Sequence, residues 1–386
     1  MKFLRSLILT LLFVAFVAGI TYVTMHRLDD WGIFADSDPQ EQLFDYRNAD
    51  EGVYPFIVPM EGPLVEGSLL DFHFLGDDFT IQAELDHRMY HGAVTAPRGF
   101  LLPEGASREE RLAAIAAYYN KLTFDPEMDD ALDSVIEQLR EIRDELELTD
   151  DQYVELMTKF VQTIPYDENR GFVGGVYGGE VKALGDPRMP IQVLVDGKGD
   201  CDEKVMLLAA LLTREGFGTA ALFFEDEQHM ALGVRSAGNG FAETGFEFVE
   251  TTGVSYVSEV PEEFIGGIVL ESDPVVLLFD PSSLRGGEHE LAGYYSAEAV
   301  AEVKRILEVR RGAETAAEKQ REFIETTPMT EEEFERENML FQACFTAMNG
   351  LRATVDSLGN DTGDFMDRRT AIRWIERYAW WEDAEE

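Results

Sequence analysis

The feature that most constrains this chain is a polar run, Gly197-Lys198-Gly199-Asp200-Cys201-Asp202, which leads directly into the apolar residues 205–212. Val205, Leu208, Ala209 and Leu212 recur at i, i+3, i+4 and i+7, the spacing of one helical face, and Gly216 supplies a C-terminal stop. Asp200 reads as the N-cap. Glu203, three residues on, completes a capping box, so Cys201 falls at the first helical position. There the unpaired N–H groups and the positive end of the helix dipole stabilise a negative sulfur. With a cationic histidine nearby, such a thiol can titrate at about 3.5 to 7.5 instead of about 8.5. A lone cysteine at a helix start is more often a small buried hydrophobe, but the Gly-Asp-Cys-Asp context favours the reactive reading.

A cysteine nucleophile needs a base, and the next segments offer one. Residues 217–224 are apolar and aromatic enough for a buried strand, and the acidic turn Glu225-Asp226-Glu227 leads into a second strand that begins at His229. Residues 246–252 alternate bulky and polar side chains as a third, half-buried strand, with Glu250 at its end. The order is cysteine, helix, strand, histidine on a strand, carboxylate on the next. Antiparallel pairing brings His229 toward Glu250, and the helix end brings Cys201 to the other side of the imidazole. This is the nucleophile, base and orienting carboxylate of acyl transfer. Asp280, in Leu277-Leu278-Phe279-Asp280-Pro281, rivals Glu250 as third member, although an Asp-Pro pair more commonly forms a turn. Gln192, ahead of the cysteine, is a candidate oxyanion donor beside the backbone N–H groups near Cys201.

In combination, several stretches between residues 160 and 264 resemble the transglutaminase-like superfamily of papain-type cysteine enzymes. They are Val161-Gln162-Thr163-Ile164-Pro165-Tyr166-Asp167, Pro190-Ile191-Gln192-Val193-Leu194, Gly199-Asp200-Cys201-Asp202, the strand bearing His229, and Val249-Glu250-Thr251-Thr252. The resemblance implies an α+β fold with a papain-like core, in which the cysteine helix packs on an antiparallel sheet carrying His229 and Glu250. It implies catalytic roles for Cys201 as nucleophile, His229 as general base and Glu250 as third triad member. The chain departs from the family pattern in two places. Glu250 stands where many members have Asp, and Met230 and Ala231 stand where an aromatic often follows the histidine. The expected activity is acyl transfer or hydrolysis at an amide or peptide bond, with a protein or peptide substrate and no cofactor. The alternative is an inactive transglutaminase-like scaffold or binding module at the cell surface.

The remaining regions set the context. Residues 6–23 carry no charge and are long enough to cross most of a bilayer core about 30 Å thick, with Lys2 and Arg5 ahead of them. An uncleaved single-pass membrane anchor over residues 1–28 is therefore expected, with the rest of the chain outside the cytoplasm; a cleaved signal peptide is the alternative. An acidic linker at 29–50, a β-rich then helical region at 51–148, a catalytic domain at 149–290 and a helical region at 291–386 follow. In the second of these, residues 53–58, 68–75 and 79–89 read as strands, with helices from Ser107 and Asp129; Thr149 and Gln152 form a capping box for the next helix. The glycine-rich stretch 166–190 reads either as an active-site cover or as a plain connector.

The two cysteines are not expected to pair, because Cys344 sits on the apolar face of a helix and a bridge would consume the nucleophile. Trp374, Tyr378, Trp380 and Trp381, at helical spacing, read as core or docking residues. A net charge of −43 over 386 residues reads as a salt-adapted surface, tolerable where salt shortens the screening length. It excludes nucleic acid as a partner, since no basic patch offsets phosphate. No D-x-[DN]-x-[DN]-G loop is present, and no metal site is expected.

Overall fold

A helix in which every residue from Cys201 to Thr213 is buried must be enclosed on all sides, and the fold is organised around it. The structure, a computed structural model, describes residues 57–96, 105–167, 176–177, 180–181, 187–280, 291–350 and 365–378. Strands β1 (Leu70–Phe74) and β2 (Asp77–Ile81) form an antiparallel hairpin and precede helices α1 (His87–Thr95), α2 (Arg108–Thr123), α3 (Asp129–Glu145) and α4 (Asp150–Gln162). The short pair β3 (Val176–Tyr177) and β4 (Glu180–Val181) leads to α5 (Pro190–Asp196) and then to the central helix α6 (Cys201–Arg214). Strands β5 (Thr219–Phe224), β6 (His229–Arg235), β7 (Phe246–Val249) and β8 (Val275–Leu278) make one antiparallel sheet in the order β7-β6-β5-β8. Three helices close the chain: α7 (Ala297–Thr326), α8 (Glu331–Gly350) and α9 (Arg368–Tyr378).

The architecture is α+β with antiparallel sheets. Helix α6 rests on β5 and β6 and is covered elsewhere by α2, α3, α4 and α5. The helix starts follow their capping residues: Ser107 and Glu110 close a capping box on α2, as do Thr149 and Gln152 on α4. Helix α7 packs against both α8 and α9. A cluster containing Val254, Tyr256, Val303, Ile306 and Ile375 joins α7 and α9 to the loop after β7, with Trp374 packed on it. Arg368 reinforces this union by donating to Glu155 on α4 at 2.6 Å and to Glu302 on α7. Trp380 and Trp381 lie outside the described residues.

Two expectations are corrected. The β-rich layer reduces, among the described residues, to the β1–β2 hairpin. The strand expected over 79–89 ends at Ile81, because Asp86 accepts from the Arg88 N–H at 2.9 Å and so starts α1. The expected single-pass membrane anchor is also overturned: among the described residues no helix is long and apolar enough to cross a membrane. Residues 6–23, on which that expectation rested, lie outside the described residues.

Candidate active site

The local chemistry at residue 200 sets the position of the thiol. Asp200 has an extended backbone, with φ −91° and ψ −168°, and its side chain accepts from the Glu203 N–H at 3.3 Å. The Glu203 side chain in turn accepts from the Asp200 N–H at 3.1 Å, closing the capping box. Cys201 is consequently the first residue of α6, only 6% exposed, with a free thiol.

Sheet register then selects the histidine's partner. Leu232 on β6 opposes Val249 on β7, so one further step places Glu250 opposite Ala231. Ala231 and His229 are two residues apart and share a face of the sheet. His229 Nε2 and Glu250 Oε2 are 3.1 Å apart, with both side chains almost wholly buried. The other carboxylate oxygen, Oε1, accepts from the Thr252 N–H at 2.6 Å and from the Thr252 hydroxyl. Burial pushes the Glu250 carboxyl up, but His229 and Thr252 together outweigh it and hold the group below its ordinary value. An ionised carboxylate only accepts hydrogen bonds, so Nε2 carries the proton and Nδ1 is the nitrogen left to act as a base. Asp280 is excluded from this arrangement by position. It follows β8, whose Leu278 opposes Ala220 near the start of β5, whereas His229 opposes Phe224 at the other end of that strand.

Cys201 and His229 line one cavity of about 300 Å³, together with Tyr166, Asp200, Thr252 and Ile265. The aromatic missing after His229 is replaced from elsewhere: the Phe264 ring lies 4.8 Å from the imidazole, centre to centre, and Phe224 lies 6.4 Å away. The Met230 backbone hydrogen bond to Cys201 favours a thiolate. The resting thiol is nevertheless pushed well above its ordinary value, first by burial and then by the charges of Asp202 and Asp200. This corrects the expectation of a resting thiolate, for the helix N-terminus is outweighed by desolvation and by two adjacent carboxyls. Asp200 itself is pushed up to about 9, by burial and by the charge and hydrogen bond of Asp202. The Tyr119 hydroxyl donates to Asp202 at 2.9 Å.

Beneath the site lie two buried cations that the sequence reading did not single out. The Arg188 side chain donates to Asp167 at 2.8 Å, to Asp196 at 2.7 Å and to Glu203 at 3.0 Å, tying the approach segments to the start of α6. Lys204 Nζ donates to the carbonyls of Gln162 at 3.1 Å and Ile164 at 2.7 Å. Gln162 in turn donates to the Glu250 carbonyl at 2.8 Å, so the end of α4 is fastened to Glu250. Gln192 does not line the thiol cavity; its side-chain oxygen accepts from the Met189 N–H at 3.0 Å at the start of α5. Cys344 is buried and free. Most of the glycine-rich stretch at 166–190 lies outside the described residues. Among the described residues, no group of three or more His, Cys, Asp or Glu side chains is arranged to hold a metal ion. No protein-family model, curated protein or solved structure matches this chain.

Proposed function

We propose that the chain is a transglutaminase-like cysteine enzyme with a papain-type core, carrying out acyl transfer or hydrolysis at an amide or peptide bond. The observation that carries this reading is the 3.1 Å contact between His229 Nε2 and Glu250 within a site whose cavity is lined by both His229 and Cys201. Because the thiol rests protonated, the first step is coupled: its proton passes to His229 Nδ1 as the sulfur attacks the carbonyl carbon and the S–C bond forms. The oxyanion that develops faces the N-terminus of α6, where backbone N–H groups lack helical partners. The imidazolium, held by Glu250, gives its proton to the departing amine as the C–N bond breaks, leaving an acyl thioester. Water or an amine then attacks the thioester, losing its proton to His229, and the thiol is restored.

The test is acylation by p-nitrophenyl acetate, followed by intact mass and peptide mapping. The wild-type chain is expected to gain one acetyl group on Cys201, and Cys201→Ala none. Equally fast acylation in His229→Ala overturns the proposal. The second reading, an inactive binding module, is favoured by the burial of Cys201 and its protonated resting state. Failure of the wild-type chain to acylate selects it.

A further inference from the structure

A second and larger cavity, about 720 Å³, adjoins the thiol site: Thr252 and Ile265 line both. Glu250 and Phe264, both beside the imidazole, also line it, whereas Cys201, His229, Tyr166 and Asp200 line only the thiol cavity. It therefore borders the thiol cavity on the side of Glu250 and Phe264. A substrate held at Cys201 that extends past Thr252 and Ile265 enters this cavity.

The far wall is one face of α7. Arg310, Arg311, Glu314, Ala317, Glu318 and Arg321 recur at helical spacing along it. Arg310 is engaged, donating to Glu259 at 2.7 Å. Among the described residues, Arg311 and Arg321 take part in no ion pair or side-chain hydrogen bond, although carboxylates far outnumber cations in this chain. Glu262 and Glu263 stand on the loop wall. The cavity thus offers charge of both signs, with little of it satisfied internally. The helix from Arg311 to Arg321 rises roughly 15 Å at about 1.5 Å per residue, the length of four to five extended residues at about 3.3 Å each. A small amine would leave most of that wall empty, and an apolar group would bury unpaired charge.

We propose that α7 and the 259–265 loop form a substrate subsite that seats an extended polypeptide segment of four to five residues bearing charges of both signs. The inference rests on reading Cys201, His229 and Glu250 as the catalytic centre. It gives the C-terminal helices a role as substrate wall and makes proteins, not small amides, the substrate class.

The test is calorimetric titration of the full chain carrying Cys201→Ala, at fixed salt, with two synthetic peptides: acetyl-Gly-Lys-Glu-Lys-Glu amide and acetyl-Gly-Ser-Ala-Ser-Ala amide. The charged peptide is expected to bind at least about tenfold more tightly, in line with two contact ion pairs of modest individual worth. Adding Arg311→Ala and Arg321→Ala should remove most of that preference, and Lys at both positions should restore part of it. Equal binding of the two peptides, or a preference unchanged by the double substitution, overturns the subsite. Acetylation of Cys201 in the wild-type chain is scored separately. Normal acetylation without peptide preference defeats only the subsite, whereas peptide preference without acetylation retains the binding site and defeats only its catalytic assignment.

Discussion

Replacing Glu250 by Gln changes one atom and reverses the hydrogen-bond logic of the His229–Glu250 pair. The native carboxylate accepts three times: from His229 at 3.1 Å, from the Thr252 N–H at 2.6 Å and from the Thr252 hydroxyl. A glutamine oxygen can keep both Thr252 donors only by turning its NH₂ toward His229. The imidazole must then accept at Nε2 and carry its proton on Nδ1, which can then no longer take the thiol proton. A wrong tautomer in an otherwise intact triad costs on the order of 10⁴ in rate. Stability should fall far less, because a charge-assisted hydrogen bond worth about 1.5–3 kcal/mol gives way to a neutral one worth about 0.5–1.5 kcal/mol. The assay is the single-turnover rate of Cys201 acetylation beside thermal unfolding, with Asp280→Asn as control. That control should be unaffected, since Asp280 sits at the opposite end of the sheet, its N–H donating to Asn120 at 2.6 Å. A Glu250→Gln chain acetylating within tenfold of wild type, or a crippled Asp280→Asn chain, refutes the assignment of the third residue.

Thr252→Val removes the hydroxyl that steadies Glu250 while sparing the backbone N–H, and should slow acetylation about tenfold and move its pH profile; Thr252→Ser should restore both, and an unmoved profile would make Thr252 merely structural. Burial pushes Lys204 down to about 7, below its unfolded value of about 10.4, so the folded state disfavours the proton and wild-type stability should rise between pH 7 and 10. Comparing wild type with Lys204→Met isolates that slope, at most about 1.4 kcal/mol per pH unit, and parallel curves would refute it. Asp200 has the opposite sign: held at about 9, its carboxyl contributes stability that is lost as pH rises from about 4 through 9, so Asp200→Asn should gain on wild type over that window. With 75 acidic and 32 basic side chains, unfolding midpoints should climb from dilute buffer to about 1 M KCl as surface repulsion is screened; a flat profile would mean that repulsion is not what limits stability.

What the sequence made legible was local or short in range. The Asp200–Glu203 box and the Thr149–Gln152 box each rest on residues three apart, and each forms as expected. The His229–Glu250 pairing was within reach because one hairpin connects the two residues and fixes their register. The misreading at 79–89 has the same origin, since five residues of alternation carried on past Ile81 could not weigh an Asp86 cap against a strand. Effects that cross the fold were out of reach. Phe264 reaches the imidazole from a loop 35 positions along the chain, and Arg188 gathers carboxylates from three separate segments. The thiol shows most sharply where local reading ends. A helix N-terminus is visible in a sequence, but the burial that overrides it depends on every element packed around α6.

The acidic composition acquires a different meaning once its few cations are placed. Arg188, Arg214, Lys204 and Arg368 are all buried or nearly so, and each is fastened to carboxylates or carbonyls from distant segments. Such pairs repay their desolvation only when the geometry is good, yet removing one partner strands a buried charge and costs about 3–5 kcal/mol. These four basic residues therefore act as internal fasteners, while others such as Arg108 and Arg336 pair with carboxylates at the surface. Salt reaches the two populations unequally: it screens surface carboxylates but barely affects pairs closed off from solvent. The salt response of this protein should accordingly report surface repulsion, while the geometry of the Cys201 site, tied down by Arg188 and Lys204, stays the same across that range. Among the described residues, Arg311 and Arg321 on the wall of the larger cavity lack such a partner, and the proposed subsite gives them one in the substrate.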